Sequence, residues 1–170
     1  GLGGSAYVAW ELFADPLMDP AEAAKGISDL KDAWEAGTPD PFTPHTVPGT
    51  AIALLRIPDF GADFEVPVVY GTTNAALSKG VGWFESTAKP GEIGNFAVAG
   101  HRTTYGKPFN RIAELVPGDK VIIETVDTYY VYTIVSSEIV LPTDVRVVLP
   151  VPNQPGAKPT QAMLTMTSCH

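Results

Sequence analysis

Two side chains able to move protons or attack a carbonyl each close an apolar run in this chain. Cys169, the only cysteine among 170 residues, ends Leu164-Thr165-Met166-Thr167-Ser168, where apolar and hydroxyl residues alternate as along a half-buried β-strand. His101 ends Phe96-Ala97-Val98-Ala99-Gly100, a second strand-like run. The thiolate is the reactive form of cysteine and needs a nearby base or cation to form. An imidazole can take that proton and later return it to a leaving amine. Taken singly, a free cysteine is more often an inert buried thiol. The pair, each member on a strand end beside a loop, points instead to an activated thiol nucleophile.

Composition bounds what surrounds that pair. A length of 170 residues suits one domain with a real core. Hydrophobic content of 45% with 18% charged residues is ordinary for a globular protein. The 16 prolines and 16 glycines imply many turns and favour an all-β architecture over a helix bundle. A net charge of −8 argues against nucleic-acid binding. One cysteine cannot form an internal disulfide. No apolar run reaches the 18 or so residues of a membrane span, and no cleavable signal peptide is visible. The opening Gly1-Leu2-Gly3-Gly4-Ser5 reads as a cut or tag remnant.

Residues 5–36 read as two helices separated by Asp15-Pro16 and Asp19-Pro20. Trp10, Leu12, Phe13 and Leu17 cluster in the first. Ile27, Leu30 and Trp34 recur at helical spacing in the second. Asp19 is the expected N-cap of that second helix, with Pro20 at its first position. The segment is expected to be a helical appendage packed on the body or, as an alternative, a lid or membrane-proximal stalk. Residues 37–49 form a proline-rich linker, and His45 within it is expected to be solvated. The resulting division is residues 1–47 as appendage and linker, and 48–170 as the body.

The body is expected to contain seven strands: 51–57, 66–70, 96–103, 120–126, 129–135, 137–141 and 161–169. Residues 74–90 read as a short helix and turn, and 108–115 as one or two helical turns. Asp127-Thr128 joins 120–126 to 129–135 as a hairpin without a turn glycine. Residues 142–160 carry Pro142, Pro150, Pro152, Pro155 and Pro159, a long loop running into the cysteine strand. A loop of that length in a compact domain is usually functional. The fold class is mainly β: a closed or nearly closed barrel with short helical insertions and the N-terminal helices.

Thr165-Met166-Thr167-Ser168-Cys169-His170 resembles the Thr-Leu-Thr-Thr-Cys signature of the sortases, cysteine transpeptidases of Gram-positive bacterial surfaces. Ala97-Val98-Ala99-Gly100-His101-Arg102-Thr103-Thr104-Tyr105-Gly106-Lys107-Pro108-Phe109 is similar to their histidine segment, most of all in the class E housekeeping group of high-GC species. The resemblance covers roughly residues 50–170 and implies an eight-stranded sortase β-barrel. It implies Cys169 as nucleophile and His101 as proton carrier, with the backbone N–H of His170 as a donor to the oxyanion. Thr167 matches a position near the bound peptide, and Tyr105 is placed to narrow the pocket for the second signal residue. The family's catalytic arginine lies on a strand after the cysteine. Arg56, Arg102, Arg111 and Arg146 do not match that position, so this role has no assigned residue. The barrel is then expected to lack one strand, leaving the cysteine strand with an unpaired edge.

The resemblance further implies cleavage between Thr and Gly of an L-P-x-T-G or L-A-x-T-G sorting signal through a thioacyl-enzyme. The acyl group passes to an amine of the lipid-linked peptidoglycan precursor. Surface proteins are the donor partners, and the location is the extracellular face of the cell membrane through an N-terminal anchor. Neither cofactor nor metal is expected, since adjacent Cys169 and His170 fall on opposite strand faces with no third ligand near. Cysteine and histidine alone do not separate transfer to an amine from hydrolysis, and a non-enzymatic β-barrel binding module is the third reading.

Overall fold

A computed structural model describes residues 2–11, 20–37, 40–101, 112–126, 128–140, 148–152 and 154–169. Eight strands close into a barrel, β1 (Leu2–Glu11), β2 (Ala51–Arg56), β3 (Glu65–Tyr70), β4 (Val81–Trp83), β5 (Gly94–His101), β6 (Lys120–Glu124), β7 (Tyr129–Val140) and β8 (Ala162–Cys169). Around the barrel they run β1-β7-β6-β2-β3-β4-β5-β8, and β8 returns to β1. Among the described residues two α-helices accompany them, α1 (Pro20–Ala36) and the single turn α2 (Asn74–Leu77).

The core forms where alternating runs turn one phase inward. Phe96 and Val98 from β5 meet Leu164 and Met166 from β8, with Leu55, Ile57, Val68, Ile123, Tyr132 and Ile134 from the other walls. A chain of edge-on aromatic rings, Phe42 on Trp83 on Tyr70, fills the end near the linker at centroid distances of 5.2 and 5.4 Å. The face of α1 that carries Ala23 and Leu30 is buried, and the helix lies against β2 and β3. Its Lys31 reaches Glu65 at 3.4 Å. Glu65 and Glu124 in turn both hold Arg56, so one guanidinium stitches β2 to β3 and β6.

The turn that launches β5 is fixed from across the barrel. Gly91 sits at φ 77°, a left-handed conformation that glycine adopts without strain. A Cβ there would drive into the Tyr130 ring. The Gly91 N–H donates to the Tyr132 hydroxyl at 2.8 Å, and Tyr132 is only 1% exposed.

Several elements differ from the sequence expectations. The first expected helix is instead a strand from Leu2 to Glu11, parallel to both β7 and β8. Hydrogen-bond ladders on two sides outweigh the helical spacing of its apolar residues, and Gly3 and Gly4 are poor helix formers. Residues 12–19, including the proposed cap Asp19, lie outside the described residues, while α1 begins at Pro20 as expected. Between 74 and 90 a three-residue strand, β4, follows α2. It is too short for alternation to register. The expected strands 129–135 and 137–141 are one strand, β7. Its register against β1 shifts where Ala6 pairs Ile134 and Tyr7 pairs Ser136. The skipped Val135 is a bulge residue, and a bulge breaks the alternation that sequence reading depends on. The cysteine strand has no open edge, because β5 flanks one side and β1 the other.

Two measurements test this arrangement. Ala9→Pro, at the middle of a strand laddered on both sides, should lower stability by about 2–3 kcal/mol in a denaturant titration. An unchanged midpoint would mean that residues 2–11 do not close the barrel. Burial pushes the Tyr132 phenol up to about 12. The folded state therefore keeps a proton that the unfolded chain releases near its ordinary value of 10.0. The resulting stability is complete below that pH and lost as pH rises toward 12. Tyr132→Phe should flatten the alkaline limb of the stability profile.

Candidate functional site

Strands β5 and β8 run parallel, and their ladder pairs Gly94 with Ala162 at one end and His101 with Cys169 at the other. Adjacent strands lie about 4.8 Å apart, so the two candidate catalytic residues occupy neighbouring backbone positions at the same end of the barrel. Parallel strands cannot be joined by a tight turn. Here sixty residues, 102–161, intervene, and side-chain packing sets the pairing. Phe96, Val98, Leu164 and Met166 take the inward phase. Asn95, Ala97 and Ala99 on β5, with Thr165 and Thr167 on β8, take the other, and His101 and Cys169 fall in that second phase.

Polar groups on this second phase are held differently along its length. The Thr165 hydroxyl donates to Asn95 Oδ1 at 2.8 Å, and Asn95 Nδ2 donates to the Leu149 carbonyl at 2.9 Å. Both side chains are buried, Asn95 at 1% and Thr165 at 0% exposure. One step nearer the cysteine, Thr167 is 6% exposed, and its Oγ1 has no hydrogen-bond partner among the described residues. Thr167 pairs with Ala99 on one side and Ala9 on the other. A buried hydroxyl without a partner is costly, so its presence two residues before Cys169 marks a place where a polar ligand group would be satisfied.

Of the remaining expected site residues, Tyr105 and His170 lie outside the described residues. Among the arginines, Arg56 is engaged on β2 by Glu65 and Glu124, while Arg102, Arg111 and Arg146 lie outside the described residues. Beside β8, where an unpaired edge was expected, β1 brings Glu11 into register with Cys169. Sequence reading did not single out Asn95. A polar residue opening an apolar strand, six positions before His101, was the available signal, and only pairing gives it meaning. Among the described residues no cluster of three His, Cys, Asp or Glu side chains is placed to hold a metal.

Residues 55–170 match the Sortase domain family. The chain belongs to the sortase family. It is 37% identical over 171 residues to sortase SrtE1 of Streptomyces coelicolor, a match that covers 96% of this chain and 47% of that protein. The chain therefore spans about half the length of that curated relative. The sortase E structure from Streptomyces avermitilis superposes with a TM-score of 0.67 at 40% identity, covering 73% of this chain and 82% of that one. Sortase E1 from Streptomyces coelicolor, solved with a tripeptide in its active site, gives a TM-score of 0.61 at 38% identity over 69% of this chain and 78% of that chain. Sortase membership and the sortase barrel thus agree with the motif resemblance, including its leaning toward class E.

The two threonines of the motif make opposite predictions. Thr167→Val removes an unpartnered hydroxyl with little change of shape and should leave thermal stability unchanged or slightly raised in the free protein. Thr165→Val removes the donor to Asn95 Oδ1 and should cost about 1–3 kcal/mol. Calorimetric melting of the two variants checks the contrast, and a loss at Thr167 equal to that at Thr165 would show that Thr167 has a partner within the fold.

Proposed function

We propose that this chain is a sortase-type cysteine transpeptidase that cuts a sorting signal of the L-P-x-T-G or L-A-x-T-G kind between Thr and Gly. The single observation that carries the reading is the ladder pairing of His101 with Cys169 at the shared end of β5 and β8. Thiolate sulfur attacks the threonine carbonyl carbon, forming a C–S bond while charge develops on the carbonyl oxygen. The backbone N–H of His170 is the donor assigned to that oxyanion. The C–N bond to glycine then breaks, and the imidazolium of His101 gives its proton to the departing amine. An incoming amine attacks the thioester, a new C–N bond forms, the C–S bond breaks, and the imidazole takes up the amine's proton.

Thr167 is assigned to the bound peptide. Its unpartnered hydroxyl supports this role. Tyr105 is assigned to the pocket of the second signal residue. The physiological amine is that of a cell-wall precursor, and the products are surface proteins joined to peptidoglycan at the outer face of the membrane. Water competes with the amine for the thioester, and transfer dominates when the amine is held in place.

An L-A-x-T-G peptide incubated with triglycine should give the ligated product, and an acyl adduct on Cys169 should appear by intact mass when the amine is omitted. Cys169→Ala should abolish both. His101→Ala should reduce transfer by about 10²–10⁴-fold. Peptide cleavage with no ligated product at saturating triglycine would reassign the chain to hydrolysis. An unmodified Cys169 in the folded protein would remove the catalytic reading altogether.

A further inference from the structure

We propose that Asn95 and Thr165 are positioning residues that hold the segment following Leu149 as a wall for the incoming peptide. The proposal rests on the sorting-peptide reading above. Residues 148–160 lead from the long connection after β7 into β8, and their described part is built from turns, with Gln154 N–H donating to the Val151 carbonyl and Ala157 N–H to the Gln154 carbonyl, each at 3.1 Å. This segment does not seal against the sheet. A cavity of about 220 Å³ lies between it and the start of β5, lined by Thr87, Glu92, Asn95, Val148, Pro150 and Pro159. Where close packing is missing, a directed bond is left to fix the separation. The Asn95 amide spans that gap to Leu149 at 2.9 Å.

The amide has one usable orientation. Its Oδ1 accepts from Thr165 at 2.8 Å while Nδ2 donates to a carbonyl. Turning the group over would set Oδ1 against the Leu149 oxygen, an acceptor facing an acceptor. The Leu149 carbonyl therefore selects the amide orientation, and the Thr165 hydroxyl, donating to the Oδ1 so presented, anchors the amide that holds the backbone at Leu149. Because both side chains are buried, neither bond is exchanged cheaply for water. The tether also stands in register with the chemistry. Thr165, Thr167 and Cys169 share one phase of β8, and four residues of strand place Thr165 about 13 Å from the cysteine. That is roughly the reach of four extended residues, the length of a short linear signal. A peptide lying along this face passes Thr167 and meets the tethered segment next. The prolines of that segment lower the ordering cost of a wall once it is anchored.

The test separates recognition from chemistry. Asn95→Leu keeps the branched side-chain shape and removes the bonds to Thr165 and Leu149. It should raise KM for the L-A-x-T-G peptide about tenfold while kcat stays within about threefold. The rate of Cys169 alkylation by iodoacetamide should not change, and hydrogen exchange should accelerate at residues 148–152. Thr165→Ser, which keeps the hydroxyl, should behave as the parent, whereas Thr165→Val should follow Asn95→Leu. Peptide affinity measured by calorimetry in a Cys169→Ala background, with and without Asn95→Leu, gives the same comparison without turnover. Equal affinities in that pair overturn the positioning role even if the parent transfers the peptide normally. A parent protein that fails to transfer while the affinities differ tenfold overturns the catalytic reading and leaves the positioning role standing. Parallel losses of kcat, alkylation rate and melting temperature in Asn95→Leu would show a merely structural role and also overturn the proposal.

Discussion

Everything at the candidate site hangs on the register between β5 and β8. The side-chain period of a strand is two, so a slip of β8 by one residue would exchange its two faces. Thr165 would then enter the core, Leu164 would leave it, and His101 would no longer share a rung with Cys169. No turn enforces the pairing, since the strands are parallel and distant in sequence. What enforces it is the cost of misplacing Phe96, Val98, Leu164 and Met166, all fully buried, together with the Asn95–Thr165 bond, which is satisfied in one register. Packing sets the phase, and a polar contact fixes the offset.

The rest of the barrel serves that register from a distance. Tyr132 holds the Gly91 turn and so decides where β5 starts. The Gly94 N–H donates to the Gln161 carbonyl at 3.1 Å, tying the entry of β5 to the entry of β8. On the opposite wall, Arg56 with Glu65 and Glu124 joins three strands, and Lys31 links α1 into the same charged group. These exposed and half-exposed ion pairs contribute little stability each. Their value lies in fixing which strands neighbour one another, while burial supplies the free energy.

Much of this was legible in the sequence, and the gaps have physical causes. Strands β2, β3, β5, β6 and β8 announce themselves because each alternates or forms a bounded apolar run. Pro20 marks the start of α1 because only the first helical turn tolerates a missing N–H. The strand β1 was hidden because Trp10 clusters with Leu12, Phe13 and Leu17 in a run that reads as helical on paper, and because a parallel ladder to two remote strands leaves no local trace. β4 is three residues long, and the bulge at Val135 splits β7 into two apparent strands. At the site, Cys169, His101 and Thr167 could be named from motif and type. Asn95 could not, since its importance lies in bonds to Thr165 and Leu149, which are far away in the chain.

The barrel is closed by a strand, β1, that lies between β7 and β8 and is drawn from the opposite end of the described chain. Contacts between such remote segments raise contact order, and high contact order slows folding because loop-closure entropy is lost before the contacts form. Until β1 docks, β7 and β8 would each present an open ladder, with the motif residues at that rim. The cysteine is thus set in a seam of the fold rather than in a preformed wall. Assembly of the end that carries the candidate pair and completion of the barrel become one late event, so an incompletely folded chain has a thiol but no organised site beside it.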